Sequence, residues 1–100
     1  MISRGLLVRL EARSGKEADV EAFLRSALPL VQREPGTTAW FAVRFGRGEY
    51  GIFDVFPDDE SRDAHLAGGV PRELAKHALT LLGSMPDLEM LNVEAEKLAA

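Results

Sequence analysis

The run TTAWFAVRFGRGEYGIFDVF, residues 37–56, decides the fold. It holds two stretches rich in aromatic and β-branched residues, Thr37 to Phe45 and Glu49 to Phe56, with Gly46-Arg47-Gly48 between them. Such side chains suit a pleated surface, and a short glycine-bearing link turns the chain back, so the run predicts a hairpin. Side chains alternate across a strand. Whichever side of the first stretch faces away from the core must therefore show either Trp40 or the set Phe41, Val43 and Phe45.

On the N-terminal side, Leu6, Val8, Leu10 and Ala12 alternate with Arg9, Glu11 and Arg13, which predicts a strand over about residues 3–13. Ser14 and Glu17 have the spacing of a capping box, in which each side chain satisfies an amide of the first helical turn. Val20, Phe23, Leu24, Ala27, Leu28 and Val31 then form one apolar stripe at helical spacing. Pro29 should kink or loosen that helix near residues 25–29, and Glu34-Pro35-Gly36 ends it.

On the C-terminal side, Pro57-Asp58-Asp59-Glu60 supplies acids where a helix N-terminus favours them, and residues 59–67 are helix-compatible. Gly68-Gly69 interrupts; Pro71 opens a second segment whose stripe is Leu74, Ala78, Leu81 and Leu82, ending at Gly83. Leu88 to Lys97 alternates again and reads as the fourth strand. The order is βαββαβ. With right-handed crossovers both helical connections fall on one face of a four-stranded antiparallel sheet, an α+β ferredoxin-like domain covering residues 1–100.

That topology leaves one sheet face open. Burying even ~600 Å² of apolar surface there is worth on the order of 15 kcal/mol in gross transfer free energy, before association costs subtract much of it. A second copy of the chain is the simplest cover, so a homodimer is expected. The formal charge of −4, with both signs interleaved, gives no field to hold a polyanion, and nucleic acid is not expected as a partner. There is no cysteine, which rules out a disulfide or a thiolate site. With no charged leader and no apolar run of about 20 residues, neither secretion nor a membrane partner is expected. The expected location is cytoplasmic.

Ser14-Gly15-Lys16-Glu17 before the first helix, Glu34-Pro35-Gly36 after it and Ala64-His65-Leu66 in the second resemble the antibiotic biosynthesis monooxygenase-like family of dimeric α+β barrels. The resemblance runs over nearly the whole chain in element order and length. It implies two sheets facing each other in a dimer, and a pocket between sheet and helices in each subunit. It further implies a monooxygenase acting on a small aromatic or quinol-like molecule with dioxygen and no cofactor. A non-catalytic homodimer that binds a small ligand or simply assembles is the alternative. The tryptophan that often closes the third strand in relatives corresponds to Phe56 here, and the first-strand asparagine of the haem-degrading branch has no counterpart between Met1 and Arg13. Haem chemistry is not expected.

Three residues are candidates for catalysis. His65 exchanges protons near neutral pH and stands just before a helix break; a surface histidine capping carbonyls is the bland alternative. Asn92, read as mid-strand, offers an amide to orient a carbonyl or peroxide, or a structural hydrogen bond across the dimer. Tyr50 stands beside the hairpin turn, where phenols commonly cover strand ends. Trp40, Phe56 and His77 are candidates for binding an aromatic substrate, although Trp40 suits a core and His77 a half-buried place on its apolar stripe. Arg44 and Asp54 are expected to pair across the hairpin, and Arg9 to pair with Glu11 or Glu94. No metal is expected from Asp58-Asp59-Glu60, whose acids serve the helix terminus.

Overall fold

A computed structural model describes residues 1–99. The chain forms β1 (Arg4–Glu11), α1 (Glu17–Gln32), β2 (Ala39–Gly46), β3 (Glu49–Phe56), α2 (Asp59–Leu66), α3 (Gly69–Leu81) and β4 (Asp87–Asn92). The strands make one open antiparallel sheet in the order β2-β3-β1-β4. This is the expected α+β, ferredoxin-like arrangement, with its second helix divided at Gly68-Gly69. Among the described residues no helix is long and apolar enough to cross a membrane.

The register settles which face is which. Leu6, Val8 and Leu10 lie opposite Asp54, Ile52 and Tyr50, which in turn lie opposite Trp40, Ala42 and Arg44. On that face Leu10, Tyr50 and Ile52 pack against Val20, Leu24, Ala27 and Val31 of α1, closed by Val70 and Leu82. Trp40 packs against the same core. The other face of the hairpin consequently carries Phe41, Val43, Phe45 and Phe53, all exposed, with Phe41 at 54% and Phe45 at 49%.

Several local expectations need correction. The Ser14–Glu17 box does not form: Lys16 occupies the N-cap of α1 without a side-chain bond. Gly15 instead adopts a left-handed φ of 84°, and the Lys16 amide bonds back to the Arg13 carbonyl at 2.8 Å, so a tight turn does the work of the box. β4 stops at Asn92 rather than near residue 97, because Asn92 already lies opposite Arg4, the first residue of β1. Val93 gains one more bond, to the Ser3 carbonyl at 3.0 Å, and beyond it the alternation has no ladder to join. β1 likewise ends at Glu11, with Ala12 making only an isolated bridge to Leu82. Arg44 and Asp54 stand four residues apart along the hairpin, and Arg44 lies 3.9 Å from Glu21 instead. Arg9 places its guanidinium 4.7 Å from the centre of the Phe45 ring rather than beside Glu11 or Glu94.

α2 begins as its sequence predicts. Asp58 is extended and its carboxylate accepts the Ser61 amide at 2.8 Å, a bond that holds the carboxyl below its ordinary pKa. Asp59 follows in the first turn and accepts from Arg4 at 2.6 Å, tying the helix start to β1.

Candidate functional site

α1 runs out at Gln32, and the chain turns through Arg33, Glu34 and Pro35 toward β2, with the Glu34 amide on the Val31 carbonyl at 2.9 Å. This turn brings the Glu34 side chain to the last turn of α2. There His65 Nδ1 lies 2.6 Å from Glu34 Oε1, and the Thr37 hydroxyl donates to the same oxygen at 2.7 Å. On the other side of the ring, His65 Nε2 lies 2.9 Å from Asp54 Oδ2. Phe56 packs on the imidazole with ring centres 5.3 Å apart and seals it from below.

Burial grades along this chain of three groups. Asp54 is 1% exposed and His65 4%, whereas the Glu34 side chain keeps 20% of its surface. Burial by itself lowers the pKa of His65, but hydrogen bonding and charge from Asp54 and then Glu34 outweigh it, and the net direction is upward. A neutral ring would turn a lone pair toward one of two carboxylates, whereas the imidazolium offers a proton to each. Burial raises the pKa of Asp54, opposed by the bond and charge of His65. Among the described residues Asp54 Oδ1 has no hydrogen-bond partner, nor has Nε1 of Trp40, its neighbour across the strands on the same face.

A cavity of about 550 Å³ opens beside this cluster, lined by residues 33–37 on one side and by Pro57, Glu60, Ser61, Ala64 and His65 on the other. It lies at the end of the sheet. The centre of the space between sheet and helices, where the resemblance implied a pocket, is filled by Leu10, Leu24, Tyr50 and Ile52, and a smaller hollow of about 280 Å³ remains between α1 and the hairpin, lined by Glu21, Leu24, Arg25, Ala42, Val43, Arg44 and Tyr50. The two walls are held close at Gly36: a Cβ there would stand 2.8 Å from Ser61 Oγ and 2.9 Å from Ser61 Cβ. Gly36→Ala is expected to cost about 1–3 kcal/mol in urea denaturation by prising the walls apart. Gly46→Ala, which meets nothing within 4 Å, should stay within about 0.5 kcal/mol.

Of the residues singled out from sequence, His65 lines this cavity, Phe56 lies beneath His65 and Trp40 lies beside Asp54. Tyr50 sits at the far end of β3, buried, its hydroxyl donating to Glu21 at 2.5 Å; that bond is the main cause raising the phenol's pKa. Asn92 is the last residue of β4 and exposed, not mid-strand and buried. His77 is also exposed, beside Glu73 at 3.7 Å and Phe23, rather than half-buried. Glu34 and Thr37 were invisible as site residues because Glu-Pro-Gly reads as a helix stop. Asp54 was seen only as a partner for Arg44. Among the described residues no three metal-ligating side chains converge, and the two carboxylates here diverge to opposite ring nitrogens.

No family model matches the chain, and no curated protein matches it. Among solved structures, the NE2512 protein of unknown function from Nitrosomonas europaea is 49% identical, over 100% of this chain and 97% of that one, with a TM-score of 0.97. A candidate antibiotic biosynthesis monooxygenase from Caulobacter crescentus has a TM-score of 0.80 at 16% identity, over 94% and 92% of the two chains. SnoaB, a cofactor-independent oxygenase from Streptomyces nogalater, has a TM-score of 0.77 at 16% identity, over 94% and 95%. The chain thus belongs to the family of the Nitrosomonas europaea NE2512 protein and is built on the antibiotic biosynthesis monooxygenase-like fold.

Proposed function

We propose that the protein is a homodimeric, cofactor-independent monooxygenase acting on a small aromatic or quinol-like molecule in the cavity beside Glu34 and His65. The observation that carries this reading is the graded cluster itself. A partly exposed carboxyl group at a cavity wall, backed by the His65 imidazole and the sealed Asp54, can take a proton from a bound carbon or oxygen acid and hold the resulting charge in place. The fold shared with a protein described as a cofactor-independent oxygenase supports the same chemistry. The lack of cysteine suits a reducing cytoplasm.

For an activated aromatic methylene, proton loss leaves an electron-rich anion that passes one electron to dioxygen. The two radicals join as a peroxide, which loses water and leaves a carbonyl. One oxygen atom enters the product and the other leaves as water, so no metal or flavin has to supply electrons. The protein binds, takes the proton and orients.

Oxygen uptake with a panel of anthrones and hydroquinones tests this. Turnover is expected, and His65→Ala should lower it by about 100-fold or more. No uptake with any member of the panel, or uptake that His65→Ala leaves unchanged, removes the oxygenase reading. The second reading, a non-catalytic dimer, gains from the fact that both His65 nitrogens are already engaged, as in a structural clasp.

A further inference from the structure

Glu34 Oε1 is doubly used, by His65 Nδ1 at 2.6 Å and by the Thr37 hydroxyl at 2.7 Å. Both donors meet the same oxygen, which leaves Oε2 with no donor among the described residues. Gly68 makes room for it, since a Cβ there would stand 3.0 Å from Oε2. His65 has no such freedom: each of its ring nitrogens faces a carboxylate, and the ring is 4% exposed. The cavity wall adds a second acid, Glu60, against one base, Arg33.

We propose that Glu34, not His65, is the residue that meets the ligand, with Oε2 accepting a hydrogen from a neutral hydroxyl or activated C–H, while His65 and Thr37 are positioning residues that fix Oε1. The inference rests on the cavity assignment made above and deepens it. A carboxylate pinned at one oxygen presents the other in a fixed direction, which favours a neutral donor. It disfavours an anion of the same shape, because like charges in a partly desolvated cavity repel and an anion has no hydrogen to give. Asp54, sealed behind the ring, holds the second nitrogen of His65 and so fixes the imidazole against rotation.

The test is a binding experiment on the whole chain at neutral pH, with no oxygen consumption read. 2-Naphthol and 2-naphthoate, alike in ring but one neutral and the other an anion, are titrated while backbone amide resonances are followed. Naphthol is expected to shift the amides of residues 34, 36–37 and 61–65 and to bind at least tenfold more tightly than naphthoate. In Glu34→Gln the ratio should fall to within threefold. Where that variant does not fold, Glu34→Asp, which withdraws the carboxylate by one methylene, must lower the ratio too. The inference is overturned if naphthoate binds as well as naphthol, if neither binds at millimolar concentration, or if the ratio survives in a folded Glu34 variant. A loss of fold alone cannot imitate the expected result, because a purely structural Glu34 would not sort ligands by charge. Selective naphthol binding without dioxygen uptake elsewhere would leave Glu34 as the ligand contact and remove only the oxygenase reading.

Discussion

His65→Leu is expected to cost about 3–5 kcal/mol of unfolding free energy, the penalty for removing one partner of a buried ion pair. The size comes from what stays behind: Asp54, 1% exposed, loses the ring nitrogen it pairs with, and Glu34 loses the donor that balanced it. Replacing Asp54 and His65 together by leucine should return most of that loss, since an apolar pair of adequate volume carries no stranded charge. Urea denaturation of the two single variants and the double variant measures the coupling. Simple addition of the two single losses would mean that charge is not the cause. The same cluster sets a pH dependence. His65 binds its proton more tightly folded than at its ordinary 6.5, so its contribution is complete below about that pH and is lost as pH rises through the folded value. Asp54 is also raised, from 3.8, so its contribution is present below that value and is lost as pH climbs through its own folded value. Both slopes point down with rising pH. In His65→Gln the upper slope should vanish, and a wild-type stability that rises with pH above about 6.5 would contradict the assignment.

The parts of this molecule that could be read from sequence are those governed by local period. Leu6-Val8-Leu10 and the 37–56 run alternate because each strand has one buried side, and the stripe from Val20 to Val31 repeats at helical spacing because α1 packs on that side. Those two periods gave the element order and, through the short hairpin link, the sheet. The strand ends were not readable, because they depend on how far the neighbouring strand extends: Val93 and Ala95 keep the alternation but lie past the start of β1. The site was half readable for a similar reason. His65 was conspicuous by chemistry, but its partners come from the end of α1 and the middle of β3, 31 and 11 residues away, and no local pattern ties them together. An acidic residue on the buried register of β3, between Ile52 and Phe56, was the available signal, since a carboxylate there demands a partner.

Phe41→Glu is expected to turn a dimer into a monomer at micromolar concentration, weakening association by about a thousandfold or more. Phe41 and Phe53 lie directly opposite each other on the uncovered face, flanked by Val43 and by the Phe45 ring under Arg9. An aromatic anchor at the centre of an interface typically contributes about 2 kcal/mol or more, and a two-fold axis counts each substitution twice, about 4 kcal/mol in all. At 1.4 kcal/mol per decade that is roughly three decades in dissociation constant. The carboxylate adds to this, since burying it among apolar side chains costs its desolvation. Leu79→Glu is the control: Leu79 is 84% exposed on α3, on the helical side of the sheet, and its substitution should leave the mass unchanged. Sedimentation of the wild-type chain at twice 11.0 kDa, with Leu79→Glu the same and Phe41→Glu at half, is the expected pattern. A wild-type monomer would mean that four large apolar side chains on one sheet face are kept in water, at a cost the small core on the other face has little margin to carry.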